Sequence, residues 1–264
     1  MSTDAIHTQY KDATNLNARI ALHACFSRNP YPWHRWLFDS IDLPAEARIL
    51  ELGCGSASLW IQNLDRLPAG WDITLTDFSE GMLAAARRNL CGVARPFVFE
   101  VVDARSIPYD DATFDAIIAN HMLYHVPERA QALAEIRRVL RPGGRLYAST
   151  VGEAHMHELW ALVEPLVPGI CRRAAQVAGE FTLENGAAQL AESFTDVRRY
   201  DYEDGLTVTD PEPVVAYVLS SNTLAGADLL PEQQTELRAR VATCIAAEGA
   251  LRITKASGLF VATR

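Results

Sequence analysis

Along the first 150 residues, short apolar runs alternate with longer amphipathic stretches, and the runs end on glycine, proline or an acid. Ile49-Leu50-Glu51-Leu52 is such a run, followed by Gly53-Cys54-Gly55-Ser56-Ala57. It reads as a buried parallel strand, because strands covered on both faces are almost continuously apolar. The glycines at its end allow a ligand close to the backbone. Residues 58–64 read as a helix, and Trp71-Asp72-Ile73-Thr74-Leu75-Thr76 as a second strand that closes on Asp77. Asp77 lies 26 residues beyond Glu51, about the length of one strand–helix–strand unit.

The same patterning continues. Residues 127–140 read as an amphipathic helix, with Leu133, Ile136 and Leu140 stepping by three and four. Pro127 suits its first turn, Arg137, Arg138 and Arg141 suit its C-terminal dipole, and Pro142-Gly143-Gly144 stops it. Ahead of the first strand, residues 15–23 and 33–41 read as helices, the first with Leu16, Ile20 and His23 on one face. Towards the C-terminus the pattern predicts a helix over 183–193, strands over 197–202 and 206–209, helices over 211–221 and 231–248, and a closing strand or hairpin over 251–255 and 258–262. Helices between 153 and 175 and between 211 and 248 are expected to border a substrate. His155-Met156-His157 reads as a solvated helix start.

Alternating strand and helix signals indicate an α/β chain with a parallel sheet covered on both faces. Such sheets bind ligands beyond the C-terminal strand ends, where the strand order reverses. Glu51 to Gly55, Asp77, Asp103 and Asn120 all fall at such ends. An acid closing the second strand commonly takes ribose hydroxyls, so a nucleoside-containing ligand is the leading idea.

Composition narrows the class. With 264 residues, 49% of them hydrophobic, the chain can bury one sizeable core, and a single domain over 1–264 with an insertion is the economical reading. A formal net charge of −9 argues against a nucleic-acid surface, which needs clustered lysine and arginine. Five cysteines without a C-x-x-C spacing read as reduced thiols in a cytoplasmic protein. The first residues show no signal-peptide pattern, and no window approaches the roughly 18 apolar residues of a membrane span.

The glycine loop selects the ligand. A dinucleotide fingerprint needs a third glycine where this chain has Ser58. Glu51, just before the loop, would repel a phosphate and attract a cation, which favours a ligand carrying an amine or sulfonium. In these residues the chain resembles the class I S-adenosylmethionine-dependent methyltransferases. Glu51, Gly53 and Gly55 match that family's first motif, with Ala57 in place of its last glycine. Asp77-Phe78-Ser79-Glu80-Gly81-Met82-Leu83 resembles the second, Val102-Asp103-Ala104 with Ile107-Pro108-Tyr109 the third, Phe114 to His121 the fourth strand, and Arg141 to Leu146 the turn into the fifth.

The resemblance implies a Rossmann-like, doubly wound, mostly parallel seven-stranded sheet with an antiparallel last strand inserted beside the fifth, plus helical lid and cap elements. It implies a lid over 1–44, a cofactor core over 45–150, and the remaining sheet with cap insertions over 151–264. S-adenosylmethionine would be held by Glu51, Gly53, Gly55, Asp77, Phe78, Asp103, Ala104 and Asn120. Asp77 would take the ribose, Phe78 would lie along the adenine, and Asp103 would accept from the adenine amino group. Tyr10, His23, Trp33 and Tyr124 would border a small-molecule substrate. His121 follows Asn120 at a strand end and is the candidate general base; no metal site is expected, since His121 and His125 lack the Glu of a zinc motif. Methyl transfer to O, N or C of a metabolite is the expected activity. The alternatives are a non-catalytic S-adenosylmethionine-binding partner or regulator and, further off, an NAD-dependent oxidoreductase.

Overall fold

A computed structural model describes residues 14–221 and 229–264. Its centre is a seven-stranded sheet of order β3-β2-β1-β4-β5-β7-β6. The strands are β1 Glu46–Leu52, β2 Gly70–Asp77, β3 Val98–Val101, β4 Phe114–Asn120, β5 Leu140–Val151, β6 Thr195–Val208 and β7 Leu251–Thr263. The pairs β1–β2, β2–β3, β1–β4 and β4–β5 are parallel, and β7 runs antiparallel between β5 and β6. The order reverses between β1 and β4, which opens a crevice at their C-terminal ends.

The apolar run of β1 explains the layering. Successive side chains point to opposite faces. Leu50 and Leu52 join a core with Ile117, Leu146 and the Leu133 and Ile136 side chains of the Arg129–Val139 helix. Ile49 joins a second core with Ile73, Leu75, Ile118, Leu37 and Trp60. A third core lies at the β6–β7 end, where the Thr14–Phe26, His157–Val163, Pro211–Leu219 and Pro231–Glu248 helices pack Leu22, Trp160, Val215 and Leu237 over Leu206 and Ile253.

Several expected boundaries move. The two strands expected over 197–202 and 206–209 are one strand, and the closing element is a single β7 and not a hairpin. Gly205, between the segments expected to end at 202 and to start at 206, and Gly258, at the start of the last expected segment, sit mid-strand where neighbours come close. A Cβ on Gly258 would lie 2.6 Å from the Tyr200 carbonyl oxygen. The helix expected from Pro127 begins at Arg129, after Glu128 in a left-handed conformation with φ 44°. The 183–193 helix is shortened to Gly186–Ala191, and the 58–64 helix to Ser58–Ile61 followed by a 3-10 turn over Leu64–Arg66.

Candidate functional site

A cavity of about 930 Å³ occupies the crevice at the strand ends and extends beneath the Thr14–Phe26 helix. Glu51, Gly53, Gly55, Asp77, Phe78, Asp103, Ala104 and Asn120 all line it, as do His121, His23, Trp33 and Tyr124. Tyr10, the remaining expected site residue, lies outside the described residues.

The first loop is tied to its neighbour strand. The Cys54 N–H donates to the Thr76 carbonyl at 2.8 Å, and the Thr76 hydroxyl donates to the Glu51 carbonyl at 2.7 Å. Glu51 is 1% exposed, and its carboxylate accepts from Trp60 Nε1 at 2.6 Å. Burial dominates its chemistry and pushes its pKa up to about 8, against the opposing Trp60 hydrogen bond. Asp77 accepts from the Gly55 N–H at 2.9 Å and the Ser79 N–H at 2.8 Å. Burial also raises its pKa, opposed by those two N–H groups.

Gly53 and Gly55 take φ of +69° and +54°, where side chains are strained. Ala57, the residue that departs from the family's third glycine, adopts φ 65° with its methyl fully buried. The departure therefore costs backbone strain, not only closeness of approach.

Asp103 is already engaged. Arg105 grips both its oxygens, through Nε at 3.1 Å and Nη2 at 2.7 Å, and holds Glu128 with Nη1. That guanidinium keeps the Asp103 carboxyl below the usual carboxylate range. An adenine amino group approaching Asp103 would share it with Arg105.

At the end of β4, the Asn120 side-chain oxygen accepts from the Ser149 hydroxyl at 2.7 Å and from Trp33 Nε1 at 3.3 Å. One amide thereby joins β5 to the Trp33–Asp39 helix. His121 has φ 53°, donates its N–H to the Ser149 hydroxyl, and sets its ring 4.9 Å from Trp33 and 6.4 Å from Tyr124. Burial, followed by the neighbouring His155, lowers its pKa to about 3.

Sequence reasoning missed much of the second half of the cavity. His34, His125, His155, Tyr202, Tyr217 and Lys255 line it too, so five of the seven histidines converge there. His155 is no solvated helix start. It faces the cavity, while His157 has a side chain 58% exposed. These residues come from separate segments that meet only through packing, with the Thr14–Phe26 helix against the Pro211–Leu219 helix and β6, and no local spacing announces it. Tyr217 is the cavity residue supplied by the Pro211–Leu219 helix. The Pro231–Glu248 helix, expected to border the substrate, contributes no lining residue among the described ones and packs behind through Leu237 and Val241.

Residues 50–148 match the family model described as a methyltransferase domain. This segment is a class I methyltransferase domain. A demethylmenaquinone methyltransferase of Clavibacter sepedonicus is 39% identical over 102 residues, 39% of this chain and 40% of that protein. A 27-O-demethylrifamycin SV methyltransferase of Amycolatopsis mediterranei is 36% identical over 110 residues, 40% of this chain and 39% of that protein. The likeness thus spans about two fifths of these curated relatives' length. Among solved structures, a Haemonchus contortus phosphoethanolamine N-methyltransferase 2 bound to S-adenosylhomocysteine aligns with TM-score 0.61 at 18% identity, over 99% of this chain and 59% of that one. The [4+2]-cyclase SpnF aligns with TM-score 0.51 at 18% identity, over 88% of this chain and 80% of that one. The methyltransferase fold is common to all of them, and the chemistry resides in the site.

Proposed function

We propose that this chain transfers the methyl group of S-adenosylmethionine to an O, N or C atom of a small molecule. The observation that carries the reading is the single cavity that joins the strand-end acids and glycines of the methyltransferase domain to an aromatic, histidine-lined compartment under the N-terminal helices.

The residues suit the donor. Asp77 closes β2 with its carboxylate oriented by two backbone N–H groups and would take vicinal ribose hydroxyls. Phe78, Met82 and Val102 offer apolar surface to a flat base, and Glu51 offers a carboxyl to a cationic end. Gly53 and Gly55 keep the loop free of side chains where the ligand would pass. When bound, S-adenosylmethionine supplies an already activated methyl group.

The protein's own task is then positioning and exclusion of water. Holding reacting atoms at about 3–3.5 Å can supply roughly 7–11 kcal/mol. Trp33, Tyr124 and Tyr202 present rings that align a flat acceptor and keep water out. Asn120 and Ser149 fix the backbone of His121, so its imidazole sits at the junction of the two halves. With a pKa near 3 that imidazole is neutral at physiological pH and a weak base, which favours alignment over general-base catalysis.

We read the chain as one domain, with residues up to 44 as the lid, 45–150 as the donor core and 151–264 as sheet and cap. No described helix is long and apolar enough to cross a membrane. All five cysteines are free thiols, as suits a reducing, cytoplasmic setting. The net charge of −9 favours a small-molecule partner over nucleic acid. Incubation with a methyl-labelled donor and a metabolite library tests the activity. Labelled product from wild type, strongly reduced with Asp77→Ala at donor concentrations that do not saturate the variant, supports it. Tight donor binding without any turnover would favour a non-catalytic binding protein.

A further inference from the structure

Asp103 is bound on both edges by one residue. It lines the cavity two positions after β3, with its side chain 32% exposed. Oδ1 accepts from the Arg105 backbone N–H at 2.9 Å and from Arg105 Nε at 3.1 Å. Oδ2 accepts from Nε at 3.1 Å and from Nη2 at 2.7 Å. A carboxylate offers about four lone-pair sites, and two contacts already fall on each oxygen of this one. The backbone contact is fixed by its turn. The Ser106 N–H donates to the Asp103 carbonyl at 2.9 Å, and Gln131 Nε2 donates to the Arg105 carbonyl at 2.9 Å. The guanidinium contacts are the ones that can give way.

Arg105 has a second anchor. Its Nη1 donates to Glu128 Oε2 at 2.7 Å, just ahead of the Arg129–Val139 helix. The Glu128 side chain is exposed and lies outside the cavity lining, whereas Arg105 itself lines the cavity. A guanidinium released from Asp103 therefore keeps one counter-charge and stays near the acid it has left. Its release still breaks a chelated, charge-assisted pair, the stronger class of hydrogen bond. An amino group on a purine that takes its place is a neutral donor and returns less. Asp77 is held differently. Its carboxylate accepts from the backbone N–H groups of Gly55 and Ser79, which belong to the loops themselves.

Resting on the methyltransferase reading above, we propose that Arg105 is a specificity-determining residue of the donor site. It competes for Asp103 with the amino group of the donor's adenine, so that this group adds little to affinity. The base is then held through its apolar faces, against Phe78, Met82 and Val102, more than through its amino edge. A purine without the amino group should enter almost as well as adenine. Arg105 acts here only through the Asp103 carboxylate, and its removal opens that carboxylate to the amino group.

The test titrates the full chain by calorimetry with S-adenosylhomocysteine and with its 6-deamino analogue, which carries hydrogen in place of the adenine amino group. Wild type should bind the two within about threefold of each other. Arg105→Met keeps the length of the stem without its donors. It should tighten S-adenosylhomocysteine and leave the analogue nearly unchanged, so that the preference for the amino group grows by about tenfold or more. In an Asp103→Ala background the same substitution should leave that preference where it was, since the carboxylate through which Arg105 acts is gone. A merely structural role of Arg105 would move both ligands together. A wild-type preference for the amino group of about tenfold or more overturns the proposal, and this comparison needs no variant to fold. A preference that Arg105→Met leaves unchanged overturns it as well. Failure of wild type to bind S-adenosylhomocysteine would instead overturn the methyltransferase reading beneath it.

Discussion

The Gly55 backbone N–H donates to the Asp77 carboxylate at 2.9 Å, so the acid that closes β2 and the glycine loop that follows β1 are one hydrogen-bonded unit. A ligand held by Asp77 is thereby held against the loop. Asp77→Ala should weaken S-adenosylmethionine binding by roughly 1.5–3 kcal/mol, about 10- to 150-fold. It should also leave the Gly55 and Ser79 N–H groups without an acceptor, at a stability cost of roughly 1–3 kcal/mol. Titration calorimetry and urea melts of the same variant read both effects. An unchanged dissociation constant in the folded variant would assign the ribose to another residue.

On the proposed reading, Glu51 should make donor binding pH-linked. Its carboxyl titrates at about 8 in the folded chain against 4.5 for an unperturbed glutamate. Between those values the folded state keeps a proton that the unfolded chain has released, so Glu51's contribution to stability is full below about 4.5 and lost as pH rises through 8. At pH 7 a cationic ligand end brought beside Glu51 should expel that proton. Binding enthalpies of S-adenosylmethionine measured at pH 7 in phosphate and in Tris should therefore differ. Glu51→Gln should remove the difference, flatten the stability–pH curve across the same window and weaken binding. Identical enthalpies in the two buffers for wild type would contradict a protonated Glu51.

The two loop glycines should behave differently on substitution. A Cβ at Gly53 would lie 2.8 Å from the Cβ of Met122, whereas one at Gly55 meets only a Leu16 methyl at 3.4 Å. Both positions carry the left-handed penalty of roughly 1–2 kcal/mol for an L residue. Gly53→Ala should cost clearly more than that in a denaturant melt, and Gly55→Ala about that much. Ala57→Gly relieves the same strain but removes a buried methyl worth about 0.8 kcal/mol, so its net effect should be near zero. Equal losses at Gly53 and Gly55 would show that Met122 yields freely.

The strand-end half of this cavity was legible because its residues are local in sequence. Each of Glu51, Gly53, Gly55, Asp77 and Asn120 sits at the end of an apolar run, and strand topology alone carries such ends to one crevice. The other half was not, because His23, His155, Tyr217 and Lys255 come from four separate segments whose meeting depends on how the sheet and the helices pack. The continuity of β6 and β7 through their glycines was not legible for a related reason. At Gly205 and Gly258 the missing side chain serves a tertiary approach, which has the same spelling as a turn.

Asp204 fastens the N-terminal segment to the sheet. It accepts from the Ser27 hydroxyl, from the Arg28 and Asn29 N–H groups at 3.0 Å each, and from Lys255 Nζ at 2.6 Å. Asp204→Ala should leave Lys255 buried without its counter-charge, a loss of about 3–5 kcal/mol. Hydrogen exchange should rise in residues 14–39 before it rises in β1 and β4, since a released segment opens below the global unfolding energy. Exchange that rises uniformly across the chain would place the latch elsewhere.

The central claim is that one cavity holds the methyl donor at the strand ends and the acceptor beneath the N-terminal helices. A crystal structure of the chain with S-adenosylhomocysteine tests it most directly. The account predicts the ribose hydroxyls on Asp77, the amino-acid end beside Glu51 and Gly53, and the sulfur facing the His121 and Trp33 side of the cavity. Density for the ligand outside this cavity, or within it with the ribose away from Asp77, would contradict the account.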